Sequence, residues 1–304
     1  EVDLFIPIKE YDKIFDKLDM HKRIISTGDN FAYLRIADGC SNYCTYCAIP
    51  YIRGPLKSRE FDDVIKEAKE LKEKGYEEII IIAQDTGRYG LDLYGEPRFA
   101  ELLKEIAKID FKWIRFLYTY PEDITDELIK VVKENDKICK YFDIPIQHIS
   151  DSVLKRMNRK YTTDQFRHVV ELLRNAYPEV HLTTDVIVGF PGETEEEFNK
   201  TYEFLKEIKF YKMHVFKYSP RSGTVAAKMP NQIDGNIKEE RSNKLIELSD
   251  ENEKEYNQKY IGKEVEVLLE EREGEYLKGH TTNYMVVKMK TNENLENTIQ
   301  KVTV

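Results

Sequence analysis

The sequence predicts a parallel α/β unit followed by a small all-β unit. Six strand-like apolar runs alternate with helical patterns between Phe31 and Lys217. Alternation this regular argues for parallel strands joined by right-handed crossovers. Residues 79–83 (IIIIA) form the continuous apolar run needed by a strand buried on both faces. From Ile261 onward, short β-type runs with polar breaks replace the cycle.

The strands are expected at Phe31–Ile36, Ile79–Ala83, Trp113–Tyr118, Tyr141–Ile146, Leu182–Val188 and Met213–Lys217. In the first interval Val64, Ile65, Ala68 and Leu71 recur at helical spacing, and Gly75 ends the helix. In the last interval Thr194 and Glu197 have capping-box spacing, and Phe198, Phe204, Leu205 and Ile208 follow along one face. Six units are too few for an eight-unit barrel, which leaves an open partial barrel or a doubly wound sheet. The cycle stops near Pro230. Residues 236–260 read as a charged helix with 5 basic and 7 acidic residues. Residues 261–304 hold VEVLLEE, EYLKGHTT, YMVVKMK and TIQKVTV, the pattern of a small β barrel or OB-like appendage. Residues 1–30 fit neither part and read as the linker remnant of a missing N-terminal domain. The expected divisions are 1–30, 31–235, 236–260 and 261–304.

Composition narrows the function. The 304 residues are 41% hydrophobic and 34% charged. They contain no run of about 18 apolar residues, so a spanning helix is excluded and no membrane partner is expected. The 47 basic and 56 acidic residues give 47 − 56 = −9, which argues against a generally phosphate-seeking surface. Four cysteines are too few for a disulfide scaffold and suit thiols or ligands in a cytoplasmic protein.

Three of those cysteines stand together. Residues 39–50 read GCSNYCTYCAIP, so Cys40, Cys44 and Cys47 have the spacing C-x3-C-x2-C. Thiolates bind iron through soft, charge-donating bonds, and a cubane sets its irons close enough for one short loop to reach three of them. The fourth iron stays open to an exogenous ligand. The competing reading is a zinc knuckle, but a structural zinc site closes with four ligands, and no histidine lies at ligand spacing nearby. Cys139, in KICKYFDI, reads as a small core residue.

A C-x3-C-x2-C loop after the first strand of a parallel α/β chain resembles the radical S-adenosylmethionine enzymes. YCAIPYIRGPLKSRE, IIAQDTGRYG, DIPIQHISDSVLKRMNRKY, DVIVGFPGETEEEF and YSPRSGTVAAKMP resemble their methylthiotransferase branch, over roughly residues 31–304. The resemblance implies a partial (β/α)6 TIM-like barrel and a TRAM-type β domain. It implies one [4Fe–4S] cluster on the three cysteines and S-adenosyl-L-methionine at the open iron, cleaved by one electron to a 5′-deoxyadenosyl radical. It also places Tyr46 near the adenine. Full-length members carry an upstream domain with three more cysteines and a second cluster used in sulfur delivery. No cysteine precedes Cys40, so that domain is expected to be missing here.

Parallel barrels carry their chemistry at the C-terminal ends of the strands. Six polar or glycine-rich clusters fall there: the cysteine loop, Gln84–Thr86, Thr119–Tyr120, Gln147–His148, Gly189–Glu193 and Tyr218–Arg221. Gln84 and Asp85 are candidates for bonds to the cofactor's ammonium and ribose, or for an Asx-type turn. GFPGE, from Gly189 to Glu193, lets backbone approach a flat ring because glycine has no Cβ, and the resemblance makes it a candidate adenine contact. Thr119, Gln147 and Tyr218 complete the cofactor-binding candidates. Arg53, Lys57 and Arg59 read equally as carboxylate partners or solvated loop charge. His148 alone reads as a satisfied histidine.

Two substrate classes compete within the branch. Members that modify transfer-RNA adenosines usually show a segment like LPLQSGS after strand four and an acidic residue in RGxExSR. Here the segments are DIPIQHIS, with Asp143 and His148, and RGPLKSR. These resemble the ribosomal-protein branch, the RimO type, which modifies the β-carbon of an aspartate in small-subunit ribosomal protein twelve. Residues 261–304 hold 6 basic and 8 acidic residues, 6 − 8 = −2. That balance suits a basic ribosomal protein, or the ribosome, better than transfer RNA. The appendage is expected to hold the partner's loop while the aspartate reaches the barrel mouth. The contrasting reading is a non-catalytic iron–sulfur module tethered to RNA or the ribosome.

Overall fold

The computed structural model describes Ile25 and residues 30–304. The expected linker stretch 1–30 therefore lies outside the described residues, apart from Ile25 and Asn30. Six parallel strands stand side by side in chain order: β1 (Phe31–Arg35), β2 (Glu78–Ile82), β3 (Trp113–Phe116), β4 (Tyr141–Asp143), β5 (His181–Val188) and β6 (Lys212–Lys217). β1–β3 form one ladder and β4–β6 another. Phe31 is in register with Glu78, Glu78 with Trp113, and Tyr141 with His181. The ladders meet where Cys139 N–H donates to Ile114 O (2.9 Å) and Thr119 N–H donates to Asp143 O (3.1 Å). Sequential order without a reversal is a partial barrel, since a doubly wound sheet needs a switch point. Among the described strands, β1 and β6 each pair on one side only.

β3 and β4 end before Tyr118 and Ile146, where the apolar pattern placed their ends. Tyr118 takes a φ of 59°, outside the extended region, and Pro145 has no N–H to give a ladder. Between the strands run α1 (Phe61–Glu73), α2 (Phe99–Ile106), α3 (Asp126–Glu134), α4 (Thr163–Ala176) and α5 (Glu195–Ile208). Each turns one apolar stripe to the core, as with Val64, Ala68 and Leu71 of α1. The capping box of α5 is formed: Thr194 N–H donates to Glu197 Oε2 (2.9 Å), and Glu197 N–H donates to Thr194 Oγ1 (3.2 Å).

The charged helix α6 (Gly235–Gln258) has 24 residues. At 1.5 Å rise per residue it is roughly 36 Å long. It packs on β6, where Met213 N–H donates to Ser249 Oγ (2.9 Å). No helix among the described residues is long and apolar enough to cross a membrane. Beyond α6, β7 (Glu264–Glu273), β8 (Tyr276–His280), β9 (Val286–Lys290) and β10 (Thr298–Thr303) make an antiparallel sheet in the order β9-β8-β7-β10. Val267, Leu269, Leu277, Met285, Val287 and Val302 form its core.

This sheet lies against the first residues of five barrel strands. The His280 ring sits 6.4 Å from Phe31 and 5.9 Å from Trp113, and Tyr284 sits 4.8 Å from Tyr141. His280 Nε2 meets Glu78 Oε2 (2.6 Å), and Tyr260 OH meets His181 Nε2 (3.3 Å). Arg115, 0% exposed, donates to Glu78 Oε1 (2.8 Å) and to Thr282 O (2.7 Å). Leu268 packs with Trp113, Tyr141 and Cys139, so Cys139 is the core residue expected of it. The sheet thus seals the floor of the barrel. The cysteine loop leaves β1 at the other end, so the sheet and the barrel mouth lie on opposite sides of the barrel.

Candidate active site

After β1 the chain pairs Ala37–Asp38 with Lys57–Ser58 and so closes the loop that bears the three cysteines. Gly39 makes the closure possible. Its φ is 67°, and a Cβ there would collide with the Pro55 carbonyl oxygen. The loop is pinned from outside: Thr45 N–H donates to Met157 O (3.0 Å), Ala226 N–H to Thr45 O (2.9 Å) and Asn158 Nδ2 to Tyr43 O (3.0 Å). Cys40, Cys44 and Cys47 are all free thiols. They line one cavity of about 350 Å3 with Tyr46, Gln84, Tyr118, Tyr120 and Gln147. A larger groove of about 1140 Å3, lined by Arg167, Glu203 and Glu207, carries none of these groups.

The cavity's donor set fits an iron–sulfur cubane and a small polar ligand. Burial pushes the Cys40 thiol up to about 11 and raises Cys47. Neutral thiols are what burial favours, and metal binding supplies the charge that displaces their protons. Gln84 Oε1, in the wall, has no hydrogen-bond partner. Asn42 Oδ1, Asp85 Oδ1 and Thr119 Oγ1, close by, have none either. Buried acceptors left open in this way mark a place where a donor belongs.

Of the expected cofactor residues, Tyr46, Gln84 and Gln147 are brought to this cavity. Gln147 is turned by a φ of 63°, and its backbone bridges to β5 through Asp185 O (2.8 Å) and Ile187 N–H (2.8 Å). Asp85 stands behind the wall. It accepts from Asn42 Nδ2 (2.7 Å), lies 3.5 Å from Arg88 Nε, and is raised by burial. It therefore positions Asn42 of the cysteine loop. Thr119 is buried and does not line the cavity.

Gly189, Glu193 and Tyr218 also lie off the cavity wall. At Gly189 (φ 70°) a Cβ would collide with the Lys238 side chain of α6. Glu193 is buried, accepts from Gly189 and Phe190 N–H, and pairs with Arg241 (3.3 Å). Its other oxygen lies 3.4 Å from His148 Nε2. His148 accepts from Ser150 N–H (3.0 Å) and is a satisfied structural histidine. Tyr218 packs on Phe190 at 5.5 Å, in a small cluster that Tyr46 also touches. Arg53 pairs with Asp38 (3.1 Å) and Arg59 with Glu67, while Lys57 is exposed. None of the three lines the cavity.

Sequence reasoning missed Arg159. Its guanidinium donates to Cys44 Sγ (3.7 Å) and Pro145 O (2.6 Å) and lies 4.1 Å over the Tyr120 ring. In RMNRKY it resembles any solvated helix end, and only the left-handed Asn158 (φ 60°) shows that the chain turns inward. Asp143 and Asp185 were missed as a pair. Tyr118, in the cavity wall, donates its OH to Asp185 Oδ2 (2.9 Å), and Thr183 Oγ1 donates to Asp143 Oδ1 (3.2 Å).

Residues 34–205 match the family model of the Radical SAM superfamily. The chain is 50% identical to the ribosomal protein uS12 methylthiotransferase RimO of Alkaliphilus oremlandii (strain OhILAs), over 98% of this chain and 74% of that protein. It is 48% identical to the protein of the same name from Clostridioides difficile (strain 630), over 90% of this chain and 61% of that one. The chain thus spans about two thirds of the length of these relatives. Among solved structures it is similar to the radical S-adenosylmethionine methyltransferase TsrM from Kitasatospora setae, with cobalamin and a [4Fe–4S] cluster bound (TM-score 0.54, 16% identity, 64% of this chain and 38% of that one). It is also similar to the Escherichia coli radical SAM enzyme coproporphyrinogen III oxidase, HemN (TM-score 0.54, 15% identity, 73% of this chain and 52% of that one). These two likenesses show a shared fold. The chain belongs to the Radical SAM superfamily, whose members use a [4Fe–4S] cluster and S-adenosylmethionine, and within it to the RimO family.

Proposed function

We propose that this chain is the radical-generating part of a methylthiotransferase acting on the β-carbon of an aspartate in ribosomal protein uS12. The observation that carries the reading is the single cavity where Cys40, Cys44 and Cys47 meet Tyr46, Gln84 and Gln147. The three thiols would hold one [4Fe–4S] cluster and leave an iron for S-adenosyl-L-methionine. When bound, this pair supplies one-electron cleavage of a sulfonium and so the radical that an unactivated C–H bond requires.

The chain's own residues bind and orient. Gln84 offers an open acceptor for the cofactor's ammonium. Tyr46 and the Tyr218 cluster behind it give an apolar face for the adenine. Asp85, through Asn42, holds the cysteine loop in place. The substrate would approach from the mouth, whose rim exposes Tyr43, Tyr51 and Ile52. The relatives' names support uS12 as the partner. We assign the second cluster of the family resemblance to a part of the protein outside these 304 residues, because only Cys139 remains and it is buried at the floor. We place the protein in the cytoplasm, where its ribosomal partner is made.

The test is anaerobic. The iron-loaded chain is mixed with S-adenosylmethionine and dithionite, and 5′-deoxyadenosine is measured. Formation of the nucleoside supports the enzyme reading. An iron-loaded chain that makes none is an iron–sulfur binding module. Binding of uS12 and of transfer RNA, compared at several salt concentrations, then separates the two substrate classes.

A further inference from the structure

Among the described residues three arginines are deeply buried: Arg115 at 0%, Arg241 at 5% and Arg159 at 7% exposure. Two of them have carboxylate partners, Glu78 for Arg115 (2.8 Å) and Glu193 for Arg241 (3.3 Å). Arg159 has a different environment. One nitrogen donates to Pro145 O and another to Cys44 Sγ; among the described residues no carboxylate is within ion-pair distance, and Asp85 acts on it only through space. Its planar face lies over Tyr120 (4.1 Å) and near Tyr161 (5.3 Å).

A guanidinium stays charged in any protein environment. Removing a charge from water is unfavourable unless an anion answers it, and aromatic faces recover only part of the loss. The backbone fixes the arrangement. Asn158 turns the chain at φ 60°, and Arg159 N–H donates to Leu154 O (2.9 Å), so the side chain is held inward. The polypeptide thus presents a fixed cation at a cysteine sulfur.

We propose that Arg159 is the built-in counter-charge of the iron–sulfur cluster and sets its reduction potential. This rests on the reading that Cys40, Cys44 and Cys47 hold that cluster. Reduction adds one electron, from a low-potential one-electron donor, and makes the cluster more negative. A fixed cation beside a ligating sulfur favours the reduced form over the oxidised one. Arg159 therefore raises the potential and makes reduction easier. It is a positioning and tuning residue and does not line the cavity itself.

The test is a mediator titration, followed by electron paramagnetic resonance, on the anaerobically reconstituted chain. At equal iron per chain, Arg159→Met should have a more negative midpoint potential than the parent. Arg159→Lys, which keeps the charge, should move back toward the parent value. If Arg159→Met loads iron fully and titrates at the parent potential, the proposal is overturned. Arg159→Gln retains a donor for Pro145 O and serves if the Met variant does not fold. If neither variant melts cooperatively without iron, the residue is structural and the assignment falls. A parent chain that takes up no iron overturns the cluster reading itself, a result distinct from an unmoved potential.

Discussion

Asp143 and His280 sit at opposite ends of the barrel and respond to pH in different windows. Burial, and then the charge of Asp185, push the Asp143 carboxyl from its ordinary 3.8 up to about 6. Stability from a carboxyl raised on folding is complete below 3.8 and is lost as pH rises through about 6. The loss is on the order of 2–3 kcal/mol. Asp143→Asn should therefore be more stable than the parent at about pH 8 and gain little at about pH 4. Urea unfolding at both pH values checks this, and parallel curves for the two proteins would sink it. At the floor, burial opposes a charged His280, but the hydrogen bonds it donates to Glu270 and Glu78 outweigh it and raise its pKa above 6.5. Burial likewise opposes a charged Glu78, but Arg115 and His280 outweigh it and hold that carboxyl below 4.5. Glu78's share is present above 4.5 and lost as pH falls below it. His280's share is complete below 6.5 and lost as pH rises through its raised value. Arg115→Leu leaves Glu78 buried without its guanidinium, and should cost about 3–5 kcal/mol in a thermal or urea melt.

Among the elements, the cysteine loop depends on one backbone position. Gly39→Ala forces a side chain into a left-handed conformation and against Pro55 O. The strands do not use that contact, so iron per chain should fall while the far-ultraviolet circular dichroism is kept. Normal iron loading in Gly39→Ala would show that the loop can close another way. At α5, Thr194→Ala removes the cap and should cost about 1 kcal/mol, read as a lower unfolding midpoint. The two sites differ in how much the sequence discloses. A capping box is local, so Thr194 and Glu197 announce α5 from their spacing alone. Gly189 is different: it also reads as a local glycine, but what it makes room for is Lys238, on a helix far along the chain. GFPGE therefore reads from its sequence as a ligand loop, and its joint with α6 comes to light only in the fold. Arg159 was illegible for the same reason, since no neighbour in sequence reveals that its side chain points at Cys44. The cysteines, Gln84 and Gln147 were legible because strand ends in a parallel barrel converge by geometry.

For the molecule as a whole, the alternation of strands and helices disclosed the barrel and the change of texture disclosed the second sheet. Which end of the barrel that sheet covers was not disclosed, because the contacts of Glu78 with His280 and Arg115 with Thr282 join distant parts of the chain. Cys139 reports on that junction. Its thiol is buried against Leu268 and pushed up to about 12 by burial, so it should resist iodoacetamide in the intact chain. It should become alkylated when the chain is cut after Gln258, in step with a loss of thermal stability. A thiol equally protected without the sheet would show that the barrel floor closes by itself. The wall of the barrel has a different character, because among the described strands β1 and β6 each pair on one side only. A complete ring of strands admits only what can be threaded through its opening. A ring with a missing segment has a rim that is open at one side, so a bend of polypeptide presented at the mouth can keep the chain on both sides of it outside. Under the proposed function, the acceptor aspartate can then belong to the middle of an already folded protein, with neither of that protein's ends needing to be free.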